Sequence, residues 1–323
     1  MQVWRRDVLR LAVGAAAVGV RPGLCRAQSY PTRPVQIIVG FPAGSGPDIV
    51  ARLAAQWLGE RLGQQFLVDN RPGAGSNLGT EAAARATPDG YTMLLTVATN
   101  TVNATLYENL KFDFLRDIAP VTCMAGTAYV MAVTPSLPAK TGSEFIAYAK
   151  ANPGKINMAS SGVGSASHVT GELFKMMAGV DMIHVPYRSN YLPDLLSGQV
   201  QVTFAPTPSV IGYIKQGQLR ALGVTSTGRQ DLLPDVPAVA EFVPGYEAIG
   251  WYGFGVPAGT PSEIIATLTK SINAVVAEPA AKAKLAGLGL DPMTMSTAEF
   301  DKFVREETKK WAQVIKYAKI TVN

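Results

Sequence analysis

The chain has 323 residues, of which 47% are hydrophobic and 16% charged, with two cysteines, two histidines and a formal net charge of +5. This length accommodates two domains of ordinary size, and the apolar content is sufficient for hydrophobic cores. The few cysteines exclude a disulfide-rich scaffold, and two histidines without ligand spacing argue against a zinc site.

The first 27 residues have the order of regions that is typical of a secretory signal peptide. Arg5 and Arg6 precede the apolar run 11–20, and a small-residue cleavage site follows at 25–27. This run is too short for a transmembrane helix, which needs about 20 residues. The paired arginines favour the twin-arginine route, with the general secretory route as the alternative. We therefore expect a periplasmic protein whose mature part does not insert into a membrane.

Removal of this segment changes the charge of the chain. The first 27 residues carry five arginines and one aspartate, so cleavage lowers the formal charge from +5 to +1. The remaining basic residues are spread among acidic ones, which argues against a nucleic-acid-binding surface. Cys123 is then the only cysteine left, and we expect it to be a small buried residue.

Apolar runs of strand length alternate with segments of helical periodicity, which predicts an α/β fold. The predicted strands are 35–39, 66–68, 92–98, 130–134, 156–159, 182–185, 200–204 and 221–225. Helical spacing is found at 49–58, 145–149 and 173–177, and a last helix at 297–317 is expected to pack as a lid on one domain. Because no turn cluster is long enough for a flexible linker, we expect crossing strands between two domains, at 129–134 and 248–256.

Two segments share one design, in which an apolar strand ends in a Gly/Ser loop and continues into a helix. The first loop follows strand 35–39, and the second follows strand 156–159. The first amides of a helix have no internal partner and lie at the positive end of its dipole, so they attract anions. Glycine lets a ligand approach the backbone, and serine adds hydroxyl donors. The repetition favours two sides of one anion-binding cleft over two ordinary turns.

Other chemistries fit these loops poorly. A nucleophile elbow needs Gly-x-Ser-x-Gly, and neither Ser161 nor Ser165 has both glycines, although a serine hydrolase with His168 as base is kept as an alternative. The dinucleotide and phosphate-loop patterns are absent, so we expect no cofactor. Asp48 is expected to accept backbone hydrogen bonds and brace the first loop. His168 is expected to orient the ligand or cap the loop, and His184 to be a core histidine.

Seven motifs occur in order along the mature chain. They are 41–52 (FPAGSGPDIVAR), 70–75 (NRPGAG), 88–91 (PDGY), 160–165 (SSGVGS), 184–187 (HVPY), 233–237 (LPDVP) and 257–261 (PAGTP). Together they resemble the Bug family, the extracytoplasmic solute receptors of tripartite tricarboxylate transporters. The resemblance implies a type II periplasmic binding protein, with two α/β domains joined by crossing strands around a ligand cleft. We expect domain 1 at 28–128 and 250–323 and domain 2 at 129–249.

The resemblance also implies a function without catalysis. The receptor would bind a small mono- or dicarboxylate through backbone amides, hydroxyls and ordered water, and would present it as a monomer to membrane carrier subunits. A ligand sensor for a signalling partner is a further alternative. Carried onto this sequence, the ligand-binding residues are Phe41, Ala43, Gly44, Ser45, Gly46 and Asp48 in the first loop, Ser160, Ser161, Gly162, Gly164, Ser165 and His168 in the second, and Thr99, Asn100, Tyr187 and Arg188 elsewhere.

Two departures from the family's pattern concern specificity. Ser45 stands where the family usually has a glycine, which adds a hydroxyl to the site and reduces backbone freedom. The segment 187–196 is shorter than usual and lacks a glycine after its basic residue. We expect Tyr191 to fill space that a longer loop would occupy, and the identity of the ligand to depend on this segment.

Overall fold

The computed structural model describes residues 30–187 and 190–322. The predicted signal peptide at 1–27 and the predicted ligand-binding residue Arg188 lie outside the described residues. Within this part of the chain, no helix is both long enough and apolar enough to span a bilayer.

The described residues form an α/β structure, as predicted. The strands are β1 (Val35–Val39), β2 (Phe66–Asn70), β3 (Thr92–Val97), β4 (Ile118–Val133), β5 (Asn157–Ser160), β6 (Ile183–Pro186), β7 (Val202–Pro206), β8 (Arg220–Val224), β9 (Ile249–Pro257) and β10 (Asp291–Pro292). The helices are α1 (Gly46–Leu62), α2 (Asn77–Ala84), α3 (Ala98–Leu106), α4 (Phe114–Asp117), α5 (Gly142–Ala151), α6 (Ala166–Ala178), α7 (Leu192–Ser197), α8 (Thr207–Lys215), α9 (Ser262–Val276), α10 (Pro279–Gly287) and α11 (Thr297–Ala318), with single 3₁₀ turns at Ala74–Ser76 and Val239–Glu241. Each of the eight predicted strands overlaps an observed one.

The strands belong to one mixed sheet in the order β2-β1-β3-β9-β4-β7-β5-β6, with β8 and β10 also paired to β4. Successive side chains of a strand point to opposite faces, and both faces of β1 are covered. Val35, Ile37 and Val39 pack in a core with α1, whereas Ile38 packs in a second core with α2. This double burial explains why four of the five residues of β1 are apolar, Gln36 being the exception.

The strand directions point the loops of the two halves at each other. β1, β2 and β3 are mutually parallel and run in the same direction as β4, because β9 is antiparallel to both β3 and β4. β5, β6 and β7 are also parallel, but they run opposite to β4. The carboxyl ends of the two parallel sets therefore meet at one gap. Open α/β sheets bind ligands at such a place, outside the carboxyl ends of their strands.

β4 and β9 carry the chain between the two halves. Residues 118–128 of β4 pair with β9, and residues 129–133 pair with β7 and β8. Both predicted crossing segments overlap these strands, but β4 begins earlier than the sequence indicated. Register shifts between Pro120 and Thr122 and between Cys123 and Ala125 interrupt the regular alternation there. We propose the change of partners, between Ala128 and Tyr129, as the division between the domains, and we call it the crossing point.

The last helix, α11, packs across both halves. Phe300 and Val304 belong to the core that contains Ile38 of β1 and Leu94 of β3. The residues Trp311, Val314 and Ile315 pack in the core of the second half, formed with α5 and α6. The prediction of a lid on one domain is wrong. A 22-residue helix is about 33 Å long, so its apolar stripe reaches two cores.

Trp311 should be a main determinant of this joint packing. Its side chain is 2% exposed, and its indole Nε1 donates to Glu307 Oε2 at 2.9 Å. We expect Trp311→Ala to lower the free energy of unfolding by about 3–5 kcal/mol, the usual cost of such a cavity, in urea denaturation followed by circular dichroism. Tyr317→Ala is the matched control, since Tyr317 on the same helix is 52% exposed. Equal losses in the two variants would contradict this account of α11.

Candidate functional site

Asp48 shapes the first loop from the first turn of α1. Its buried carboxylate accepts hydrogen bonds from the Gly44 amide at 2.8 Å, the Arg52 guanidinium at 2.9 Å and the Asn70 side-chain amide at 2.9 Å. Burial raises the pKa of this carboxyl, but the hydrogen bonds from Arg52, Gly44 and Asn70 outweigh burial, so the pKa lies below its ordinary value. The structure thus uses Asp48 as the brace that the sequence suggested, and its oxygens face inward to the loop.

The other polar groups of the first loop are of two kinds: those with a hydrogen-bond partner in the protein, and open ones without such a partner. Ser45 Oγ donates to the Pro42 carbonyl at 2.6 Å, so its proton is used within the loop. The amides of Ala43, Gly46 and Asp48 make no hydrogen bond to the described residues. These open amides surround the positive end of the α1 dipole, in a loop that is mostly exposed.

The second loop is braced by its own serines. Ser165 caps α6, because its Oγ accepts from the His168 amide at 3.4 Å while it donates to the Gly162 carbonyl at 2.7 Å. Ser167 Oγ accepts from the Ser161 amide at 3.0 Å. Open amides are again found at the start of the helix, where those of Val163, Ala166 and Ser167 make no hydrogen bond to the described residues.

Two stacked histidines hold the second loop from behind. The rings of His168 and His184 lie 3.5 Å apart at 7° between their planes. His168 Nδ1 accepts from the Gly164 amide at 3.1 Å, and His184 Nε2 is hydrogen-bonded to Ser160 Oγ at 2.6 Å. The histidines therefore fix the loop from the protein side.

This arrangement favours one of the two roles expected for His168 and corrects the prediction for His184. His168 is buried and accepts a hydrogen bond from the loop backbone, which fits the role of holding the loop. His184 was predicted to be a core histidine, but it is half-buried and bonded to the loop. Burial and the neighbouring His168 lower the pKa of His184 to about 4. The signal that could have identified His184 is its place in β6, the strand beside β5. It is paired there with Met158, the residue before Ala159.

The serine hydrolase alternative finds no support in this geometry. No hydrogen bond joins the His168 ring to Ser161 or Ser165 in the described part of the chain. Ser160 and His184 do form a serine–histidine pair, but Ser160 is 0% exposed and its Oγ also bonds both the amide and the carbonyl of Gly162. A hydroxyl sealed in this way is not reachable by a substrate.

The remaining predicted residues occupy different positions around the gap. Asn100 is buried, with its Oδ1 accepting from the Val97 amide at 2.8 Å and its Nδ2 donating to Thr80 Oγ1 at 2.9 Å, so its side-chain atoms are used within the protein. Thr99, in the first turn of α3, is half-buried. Tyr187 is also half-buried, and its hydroxyl donates to Asp194 at 2.6 Å.

Tyr187 and Tyr191 pack together in the segment that was predicted to govern specificity. Their rings meet edge to face with centroids 6.1 Å apart. The hydrogen bond to Asp194, together with burial, raises the pKa of Tyr187 to about 12, so its hydroxyl stays protonated. Tyr191 is buried in an apolar cluster with Leu195 and Val130. This packing holds Tyr191 beside Tyr187.

Tyr129 and Tyr252 lie at the base of the gap and were not predicted from the sequence as site residues. Tyr129 is the first residue of β4 beyond the crossing point, opposite Pro206 at the end of β7. Tyr252 on β9 is opposite Val97, the last residue of β3. Both residues fall within the predicted crossing segments, and that position was the available signal.

Comparison with known families matches residues 50–320 of this chain to the sequence model of the tripartite tricarboxylate transporter family receptor. Protein BugT of Bordetella pertussis is 34% identical over 295 residues, which are 90% of this chain and 90% of that protein. An R. palustris protein solved with adipate is 34% identical with a TM-score of 0.77, over 90% of this chain and 99% of that one. MatC from Rhodopseudomonas palustris, solved with bound malate, is 27% identical with a TM-score of 0.72, over 88% and 100% of the two chains.

Replacing the Asp48 brace should weaken the first loop. Asp48→Asn puts an amide nitrogen among the donors of Gly44, Arg52 and Asn70, so we expect the free energy of unfolding to fall by about 1–3 kcal/mol. Urea denaturation measures this loss. Glu60→Gln, at an exposed position on the same helix, is the control and should change stability by less than about 0.5 kcal/mol. An Asp48→Asn protein as stable as the wild type would show that the brace is dispensable.

His184 should make the protein less stable in acid. Its pKa is about 4 in the folded protein, against an ordinary value of 6.5, so the unfolded chain binds this proton first as the pH falls. The stabilising contribution is complete above pH 6.5 and is lost towards pH 4. His184→Phe, which has no group to titrate, should reduce the slope of unfolding free energy against pH in that range, in urea denaturation at stepped pH. An unchanged slope would contradict this role.

Proposed function

The chain belongs to the tripartite tricarboxylate transporter receptor family, and from this premise we propose that it captures a small organic anion carrying one or two carboxylates. The observation that carries the proposal is the pair of opposed loops at the carboxyl ends of β1 and β5. Each loop is held by its own side chains and leaves amides at a helix start without a partner. A carboxylate between them would satisfy amides from both sides.

The same geometry gives a mechanism for capture. Amides of the first loop bind one face of the anion, and amides of the second loop bind it only when the gap is narrow. The anion therefore has a higher affinity for the closed form and shifts the population towards it. Backbone amides also suit a ligand that must be released, because their charge is partial and their positions are fixed by the loop.

We propose that the protein acts in the periplasm and delivers its ligand to the membrane carrier subunits of a tripartite transporter. The signal-like first 27 residues and the family membership support this location and these partners. No bond is made or broken in this function. The adipate and malate named for two similar structures make dicarboxylates of this size the first ligands to test.

Removing one open amide should weaken ligand binding without unfolding the protein. Ala166 is the first residue of α6, and Ser165 before it has ψ 158°, the backbone that precedes proline most readily. Ala166→Pro deletes the amide hydrogen at a position where proline fits a helix. We expect calorimetric affinity for the best carboxylate of a panel that includes adipate and malate to fall about tenfold, the value of one hydrogen bond to a charged group.

The matched control is Ala166→Ser, which keeps the amide, and its affinity should stay within about twofold of the wild type. The midpoint of thermal unfolding should be unchanged in both variants. The proposed function would be contradicted if no organic anion raised the unfolding midpoint of the wild type while a neutral or cationic solute raised it clearly. Equal affinities in the two variants would instead exclude the Ala166 amide from the site.

A further inference from the structure

Tyr129 and Tyr252 meet where the two crossing strands and the ends of both parallel sets come together. Tyr129 is paired with the last residue of β7, and Tyr252 with the last residue of β3. The two tyrosines thus belong to opposite sides of the gap, while the strands that carry them are continuous through it. Their position relative to each other is fixed by the sheet.

Gly250 brings the Tyr129 hydroxyl to the face of the sheet that carries Tyr252. Residues 250 and 252 of β9 point to the same face because side chains alternate along a strand. A Cβ added at Gly250 would lie 2.9 Å from the Tyr129 hydroxyl oxygen, so this hydroxyl occupies the space that glycine leaves open. Tyr129 and Tyr252 are therefore neighbours on one surface.

The Tyr252 hydroxyl in turn lies beside the first loop. A Cβ added at Gly46 would be 3.2 Å from the Tyr252 hydroxyl oxygen. Gly46 is the first residue of α1, and its amide is one of the three open amides of that loop. The Gly46 amide and the two tyrosine hydroxyls therefore form a row of hydrogen-bond donors from the loop to the base of the gap.

Both hydroxyls lack a partner in the described part of the chain, where neither makes a hydrogen bond. Tyr129 is 7% exposed as a residue, but neither hydroxyl is one of the fully buried side-chain atoms without a partner, so both oxygens keep surface that a ligand can reach. Burial, with Tyr252 and Tyr191 nearby, raises the pKa of Tyr129, and burial raises that of Tyr252. The hydroxyls therefore stay protonated and remain donors.

Resting on the proposed function, we propose that Tyr129 and Tyr252 form a second polar subsite, which binds an oxygen acceptor at the end of the ligand remote from the carboxylate held by the loops. The preferred ligand class is then a carboxylic acid with a second oxygen group, and a plain monocarboxylate of equal length binds less well. The choice of ligand then depends on residues at the base of the gap as well as on the segment around Tyr191.

Calorimetry with acids of matched length tests the subsite. The probes are butanoate against succinate and malate, and hexanoate against 6-hydroxyhexanoate and adipate. We expect the wild type to bind at least one acid with a second oxygen group at least tenfold more tightly than its monocarboxylate. In Tyr129→Phe/Tyr252→Phe this preference should shrink to less than threefold, with the affinity for the monocarboxylate retained.

Thermal unfolding separates this subsite from a structural role. The double variant should melt at or above the wild-type temperature, since it removes unpaired hydroxyls. Tyr246→Phe is the matched control, because the buried Tyr246 hydroxyl donates to the Thr170 carbonyl at 2.9 Å. That variant should melt at a lower temperature and keep the ligand preference.

The outcomes distinguish this inference from the proposed function. A preference that persists in the double variant, or a wild type that binds both members of every pair equally, would overturn the subsite and leave carboxylate capture intact. Binding of none of these acids, with a clear response to a neutral or cationic solute, would overturn both.

Discussion

The change of hydrogen-bonding partners in β4, between Ala128 and Tyr129, is the constraint on which the rest of the structure depends. One continuous strand pairs with β9 on one side of this point and with β7 and β8 on the other. Because β4 runs in the direction of the first parallel set and against the second, the carboxyl ends of both sets meet at the crossing point. The position of the site thus follows from strand direction before any side chain is considered.

Around the crossing point, side chains and backbone have different roles. Asp48, Ser165 and the two stacked histidines use their polar atoms to hold the loops, and the amides at the helix starts are left open. A side chain that binds a ligand must first be ordered, at a cost in rotamer entropy, whereas an amide in a braced loop is already in place. This division explains why several predicted ligand-binding residues lie one layer behind the gap.

The two halves are also joined away from the strands. The core of the second half contains Val102 and Leu106 of α3 together with Trp311 and Ile315 of α11. Gly164, with φ 74°, lies so close to α3 that a Cβ there would be 2.4 Å from Leu106. The second loop therefore contacts an element of the first half directly. Any change in the width of the gap has to involve sliding at this apolar contact as well as bending at β4 and β9.

The sequence by itself determined the α/β class, the eight strands, the two Gly/Ser loops and the brace at Asp48, because periodicity, turn residues and capping are local properties. It did not determine that α11 spans two cores, that His184 reaches Ser160 across neighbouring strands, or that Asn100 faces inward. Nor did it bring Tyr129, Tyr252 and Gly250 together. Those relations join residues that are far apart in the chain, and only the strand order and directions of the folded sheet decide which of them become neighbours.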